Sequence, residues 1–527
     1  MTRRATRGMV SSVDYLASEA GVATLRAGGN AVDAAVTTSA VLAVTAPHLC
    51  GMGGDLFALV SVPGDHTPLA LNASGRAGGG ADPERLRAEG HSLMPFRDDL
   101  RSAPVPGCVD GWLALHTRFG KLPIATVLEA AIGYAEDGFP ASPLLAGSAA
   151  TLTGVAGCPE LNDPPIKSGH IVRRRGVASA IRAVVDHGRD GFYKGDFGES
   201  LIEMGKGEYA GDDMDRNLAD WVEPLKARAW GHDLWTVPPN SQGYLAILGS
   251  LIAEGLPLPS DSDDPLWAHF LIESARVAAF DRTDRLFENA DVRPLFDETE
   301  VEKRRHLIDP DRRSKLGSAS KQGDTMYMCA VDGQGIGVSL IQSNASGFGC
   351  LVFEPKTGIG LHNRGIGFSL VAGHPAEYGP RRRPPHTLAP MIVTRPDGTL
   401  RGVIGTMGGD AQPQILLQLL TRWLHHGRSA GEVISAGRFT LSGSAHSGFD
   451  TWTDPDGVRV ELEADGPVAW PDGLVERGHR VNVVHGVSGS FGHSHLIEVG
   501  PDPVDPSTRV LGGAADPRAL VGAVAAY

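Results

Sequence analysis

Residues Gly323-Asp324-Thr325-Met326-Tyr327-Met328-Cys329-Ala330-Val331-Asp332-Gly333 place a threonine at the entrance of an apolar run, about three fifths of the way along the chain. A threonine hydroxyl is a weak nucleophile unless a base stands beside it. At a free amino terminus it carries its own base, because an α-amine titrates at roughly 7.7 to 8.0. The run therefore suggests a nucleophile exposed by cleavage between Asp324 and Thr325. Read alone, Thr325 is equally a plain β-branched strand residue.

The segments on either side have the pattern of a hairpin. Thr325 to Val331 and Ile336 to Gln342 flank Asp332-Gly333-Gln334-Gly335, a turn rich in residues that tolerate unusual backbone angles. If the loop is Gly333 to Gly335, Asp332 pairs with Ile336 and Thr325 falls opposite Ser343 on the same face. A register shifted by one residue puts Thr325 opposite Gln342 instead.

Upstream, Ala17 to Val44 is dominated by small residues at helical spacing around Gly28-Gly29-Asn30, the pattern of two closely packed helices. The loop Gly51-Met52-Gly53-Gly54-Asp55 feeds the strand-like run Leu56 to Val62. It is not a dinucleotide fingerprint, since its glycines precede a strand and the third is misplaced. Residues 105 to 290 are expected to be mainly helical, with Ile124 to Ala135 and Trp267 to Phe280 the clearest segments. From about 283 to 322, charge, Pro and Ser predict a flexible linker. Further strands are expected at Cys350 to Phe353, Pro390 to Thr394, Gly402 to Gly405 and Leu496 to Val499. A helix is expected from Pro413 to His425, opened by Gly408-Gly409. Such an order suits a layered α+β sandwich.

Composition narrows the class. A chain of 527 residues with 42% hydrophobic and 21% charged residues is globular. The formal charge of -14 disfavours nucleic acid and anionic membrane as partners. Five widely spaced cysteines without a CxxC pair indicate neither a disulfide framework nor a cysteine zinc site. The basic start, Met1 to Gly8, lacks a following apolar stretch, and no run is long enough to span a membrane. The expectation is a cytoplasmic protein. His493 and His495, near His485, lack a third ligand at sensible spacing.

Taken together, Gly28 to Ala35, Gly51 to Gly54, Val105-Pro106-Gly107, Ala135 to Phe139, Asp324-Thr325, Gly408-Gly409 and Ala515 to Arg518 resemble the γ-glutamyltransferases, which are amino-terminal-nucleophile hydrolases. The resemblance covers almost the whole chain. It implies a four-layer αββα sandwich made from a self-cleaving precursor, with a large subunit of residues 1–324 and a small one of 325–527. A homodimer of these heterodimers is compatible with it. Thr325 would form an acyl-enzyme from a small-molecule amide and pass the acyl group to water or an amine, with no metal or organic cofactor. Gly408 and Gly409 match the oxyanion-hole pair, Ser343 the hydroxyl that assists the nucleophile, and Arg76 the arginine that grips a substrate α-carboxylate.

The departures from the family pattern bear on specificity. Arg364 and Gly367 stand where glutamyl-specific members carry an acid and a glutamine that hold the α-amino group. His386-Thr387 replaces a pair of serines, and the family's asparagine falls on Ala345, with Asn344 beside it. Arg364 would repel an ammonium group. The pattern is similar to the acylase-like branch, with its oxamate-type amidases and cephalosporin acylases. Two substrate classes stay open, γ-glutamyl compounds such as glutathione and acyl amides lacking the α-amine, with Asp410 as a replacement acid under the first. Met326-Tyr327-Met328, in place of a threonine, a histidine and an aromatic, keeps open an uncleaved binding protein.

Overall fold

The computed structural model describes residues 1–316, 326–443, 451, 452, 454, 456–486, 488–502 and 504–527, Met326 by its backbone alone. Asp324 and Thr325 lie outside the described residues.

Two seven-stranded antiparallel sheets form the centre. The first runs in the order Ala523–Ala526, Gly8–Ser12, Met326–Asp332, Gly337–Ser343, Asp55–Ser61, Leu69–Ala73 and Asp220–Val222. The second runs Arg3–Ala5, Arg509–Ala515, Ser494–Pro501, Leu400–Thr406, Met391–Thr394, His232–Thr236 and Leu225–Ala229. Period-two alternation explains why they stack. Tyr327, Cys329, Val331, Phe57, Leu59 and Ile341 join Ile392, Val403 and Ile497 in the core between the sheets. Met328, Ala330, Leu56, Ala58, Val338 and Leu340 face the other way. There they pack on the helices Tyr15–Arg26, Ala31–Thr45 and Cys108–Phe119. The helices Tyr244–Glu254, Pro265–Ala279 and Gln412–Leu420 cover the second sheet. The result is the expected four-layer αββα sandwich, and both sheets draw strands from either side of residue 325.

The hairpin register is Met326 to Gln342 through Val331 to Gly337, the one that follows from a Gly333–Gly335 loop. The pair Thr325–Ser343 itself falls outside the described residues. Asp332 closes the turn: one carboxylate oxygen accepts from the N–H of Gln334, Gly335 and Ile336 at 2.8 to 3.0 Å. The other accepts from Ala31 N–H at 2.9 Å, tying the turn to the first turn of the buried Ala31–Thr45 helix.

Residues 105 to 290 are mainly helical, as expected, and also hold five strands, Phe139–Pro140, Ile171–Val172, Asp220–Val222, Leu225–Ala229 and His232–Thr236. Three expectations need correction. Residues 283–316 are not a flexible linker: Leu286, Val292, Leu295, Val301 and Leu316 are buried and Glu298–Arg305 is a helix, while 317–322 lie outside the described residues. The few apolar residues of 283–316 are spaced too widely to register as a pattern. Cys350 to Phe353 forms no strand, only a bridge between Phe353 and Gly360. The helix after Gly408-Gly409 ends at Leu420 and continues as a π turn, Thr421–His425.

Candidate functional site

Ser343 ends its strand on the inter-sheet face, directly paired with Asp55, which begins the neighbouring strand. The Gly51-Gly54 loop can press this closely because Gly53 and Gly54 lack side chains. A Cβ on Gly54 would lie 2.3 Å from the Ser343 carbonyl oxygen, and one on Gly53 would lie 2.2 Å from that of Gly360.

Asp55, His362 and His386 are wholly buried together. Asp55 Oδ1 accepts from Gly75 N–H at 2.7 Å. Its Oδ2 is 2.8 Å from His386 Nε2 and 3.5 Å from His362 Nδ1. Burial alone would push this carboxyl up. The neighbouring charge of His362 and the hydrogen bond from His386 outweigh it and hold Asp55 well below the usual carboxylate range. His386 Nδ1 accepts from Leu388 N–H at 3.3 Å, so its proton sits on Nε2 and is donated to Asp55. Burial, followed by the charge of Arg364, pulls His386 down to about 3. It is a neutral imidazole at ordinary pH.

A second chain of contacts runs from Ser343 to the glycine pair. Ser343 Oγ accepts from Ala345 N–H at 2.8 Å and from Arg364 Nη2 at 3.1 Å. Arg364 Nη1 donates to Thr387 Oγ1 at 3.0 Å. Arg364 is only 2% exposed and sits in the short turn Arg364–Gly367. Gln242 Nε2 then bridges the carbonyls of Thr387, at 3.1 Å, and Gly409, at 2.9 Å. Its Oε1 accepts from Arg282 Nε at 2.9 Å, and Arg282 pairs with Asp410 at 3.1 Å.

Gly408 has φ +135° and Gly409 φ +58°, conformations that favour glycine. Both precede the Gln412–Leu420 helix, where N–H groups are not consumed by the helical ladder. The arrangement can bind an anion at Arg364 and offer backbone donors to a developing oxyanion nearby.

The structure thus brings together Ser343, Arg364, Thr387, Gly408 and Gly409, with His386 one residue from Thr387. It does not bring Arg76 into that network. Arg76 Nη1 donates to Glu288 at 2.6 Å and to the Arg381 carbonyl at 3.0 Å, with Asp220 at 3.6 Å. The expectation of Arg76 as a carboxylate grip therefore meets a guanidinium already paired with acids. Asn344 is likewise turned away: its Nδ2 donates to the Pro47 carbonyl at 3.1 Å. Asp410 is held by Arg282. His495, weighed as a metal ligand, instead has its Nδ1 2.9 Å from Ser11 Oγ.

Asp55, His362, Gln242 and Arg282 were missed by sequence reasoning. Asp55 gave one signal, a carboxylate in phase with the inward-facing Phe57 and Leu59 of an apolar strand. For Gln242 and Arg282 no local pattern exists.

The family model described as Gamma-glutamyltranspeptidase matches residues 17–527. The chain is 34% identical to the oxamate amidohydrolase proenzyme of Klebsiella pneumoniae, over 99% of each chain. It is 32% identical to the glutathione hydrolase-like YwrD proenzyme of Bacillus subtilis, over 97% of each. Among solved structures, a cephalosporin acylase from Bacillus halodurans matches with a TM-score of 0.89 at 31% identity, covering 100% of this chain and 97% of that one.

Proposed function

This chain belongs to the gamma-glutamyltranspeptidase family of enzymes, and from that membership we propose that it is a self-cleaving amidohydrolase or acyltransferase whose nucleophile is Thr325. In maturation the Thr325 hydroxyl attacks the Asp324 carbonyl, the peptide nitrogen leaves as the new α-amine, and water hydrolyses the resulting ester. Residues 1–324 and 325–527 become the two subunits. In turnover the α-amine takes the hydroxyl proton as Oγ attacks the substrate carbonyl. The oxyanion is stabilised by the N–H groups of Gly408 and Gly409, each such donor contributing about 3 kcal/mol. The amine departs with the proton, and water or a second amine resolves the acyl-enzyme.

The preferred substrate is an amide whose acyl group carries a free carboxylate and no α-amino group. One observation carries this reading: the nearly fully buried Arg364 reaches both Ser343 and Thr387, where an ammonium would be repelled and a carboxylate bound. Two relatives, named for oxamate and cephalosporin chemistry, support it. A γ-glutamyl donor is the second reading, favoured by the glutathione hydrolase-like relative.

The test is an intact mass of the wild type beside Thr325→Ala, followed by oxamate, glutaryl anilide and γ-glutamyl anilide as substrates. The expectation is two fragments divided at Asp324–Thr325 in the wild type, one chain in the variant, and turnover of the amine-free amides. One uncut chain in both proteins would defeat the nucleophile assignment. Turnover confined to γ-glutamyl anilide would defeat the role given to Arg364.

A further inference from the structure

Arg364 and Thr387 stand at the two ends of one excursion of the chain. The Arg364–Gly367 turn leads into residues 368–383, which form neither helix nor strand and leave Val371 and Pro375 exposed at the tip. The chain returns through Pro384-Pro385-His386 to Thr387, and the Arg364–Thr387 hydrogen bond closes the base. Whatever holds the upper part of this loop therefore bears on where Arg364 sits.

Tyr378 joins the loop to the rest of the protein. Its N–H donates to the Ser369 carbonyl at 2.9 Å, and its ring lies 5.4 Å from that of Phe368, edge to face. Phe368 N–H in turn donates to the Gly365 carbonyl at 3.0 Å, within the Arg364 turn. The Tyr378 hydroxyl donates to the side chain of Glu208. The backbone of Glu208 is fixed: Gly80 N–H donates to its carbonyl at 3.1 Å, and a Cβ on Gly78 would lie 1.9 Å from that oxygen, so the two segments meet with no side chain between them.

Glu208 and Tyr378 are 4% and 1% exposed. A carboxyl so placed favours its neutral form, and burial raises Glu208 to about 7. The cations that face it are already engaged. Arg85, on the Pro83–Ala88 helix, pairs with Glu89, and Arg101, in the turn Leu100–Ser102, pairs with Asp99 and Glu89. Asp99 itself opposes ionisation. In the loop, Glu377 is taken by Arg87, and beside Glu208 the Tyr209 hydroxyl donates to the Leu100 and Ala103 carbonyls. An ionised Glu208 is drawn towards water and away from Tyr378.

We propose that Glu208 is a positioning residue for substrate binding: protonated, it latches Tyr378 and so holds the loop that sets Arg364 against Thr387, and ionised, it releases that loop. The inference rests on the amide-hydrolase reading above, in which Arg364 receives the acyl carboxylate, and adds a control on that contact from outside the site.

The experiment measures kcat and KM from pH 6 to 8 for processed wild type, Glu208→Gln and Tyr378→Phe, with whichever of oxamate, glutaryl anilide and γ-glutamyl anilide the wild type hydrolyses best. At pH 8 about one wild-type molecule in ten keeps the Glu208 proton, so KM is expected to be about tenfold higher there than at pH 6. Glu208→Gln stays neutral and still accepts from Tyr378, so its KM should be low and flat. Tyr378→Phe has nothing to latch, and its KM should be raised already at pH 6 with little change to pH 8. The α-amine of Thr325 titrates in all three proteins alike. A wild-type KM that is flat with pH, a rise that persists in Glu208→Gln, or a wild-type KM at pH 6 in Tyr378→Phe each overturns the latch while amide hydrolysis stands. Turnover of no amide by cleaved wild type overturns the amide-hydrolase reading, and the latch falls with it.

Discussion

Replacing Asp55 by asparagine tests whether a carboxylate, and not merely an isosteric group, holds the site together. Both Asp55 oxygens act only as acceptors, one for Gly75 N–H at 2.7 Å and one for His386 Nε2–H at 2.8 Å. An amide offers one oxygen and one NH2. In either flip it therefore sets a donor against a donor in a wholly buried space. His386 can escape only by moving its proton to Nδ1, which ends its acceptance from Leu388 N–H. One stranded buried donor costs about 1–3 kcal/mol, and losing the charge that faces His362 adds to it. The expected loss is about 2–4 kcal/mol in stability, read as a lower urea midpoint of the processed protein by tryptophan fluorescence. Activity should fall as well, because the main chain of His386 leads directly to Thr387, the partner of Arg364. Asp55 is held below the ordinary carboxylate range. Its stabilisation is therefore present above the unfolded pKa of about 3.9 and is lost as pH falls through the lower folded value. A midpoint and a kcat both equal to wild type would refute the reasoning, showing that Gly75 and His386 find acceptors elsewhere.

Two other perturbations read different parts of the molecule. Glu208 is buried, and burial raises its carboxyl to about 7 despite a hydrogen bond from Tyr378. The folded state thus keeps a proton that the unfolded state releases near 4.5, so its contribution is full below that value and is lost as pH rises through 7. Glu208→Gln should flatten thermal stability between pH 5 and 8 and raise it at pH 8, and an unchanged pH dependence would show that the group titrates normally. Gly408→Ala puts a Cβ at φ +135°, 3.2 Å from Ile415 Cδ1. Displacing this donor should lower kcat about a hundredfold or more with a smaller effect on KM. Wild-type kcat in a cleaved, folded protein would remove Gly408 from the oxyanion site.

Local chemistry in the sequence determined much of this protein. The Asp332-Gly333-Gln334-Gly335 turn and its flanking alternation specify the hairpin and leave two registers, of which the structure takes the one with Met326 opposite Gln342. Ser343 stood out by its place in the hairpin, and Gly408-Gly409 and Thr387 by their match to the family pattern; the structure joins them through Arg364 and Gln242. The likeness to a family supplied the αββα layering, which no single segment encodes. Tertiary structure decided the rest. Whether an arginine is available depends on which acids the fold brings to it, and Glu288, 212 residues from Arg76 in sequence, is invisible to any local pattern. Asp55 and His386 are separated by 331 residues, and their joint protonation state exists only because two strands and a loop exclude water around them. Spacing along the chain fixes which face a side chain takes; only packing fixes what meets it there and whether its charge survives.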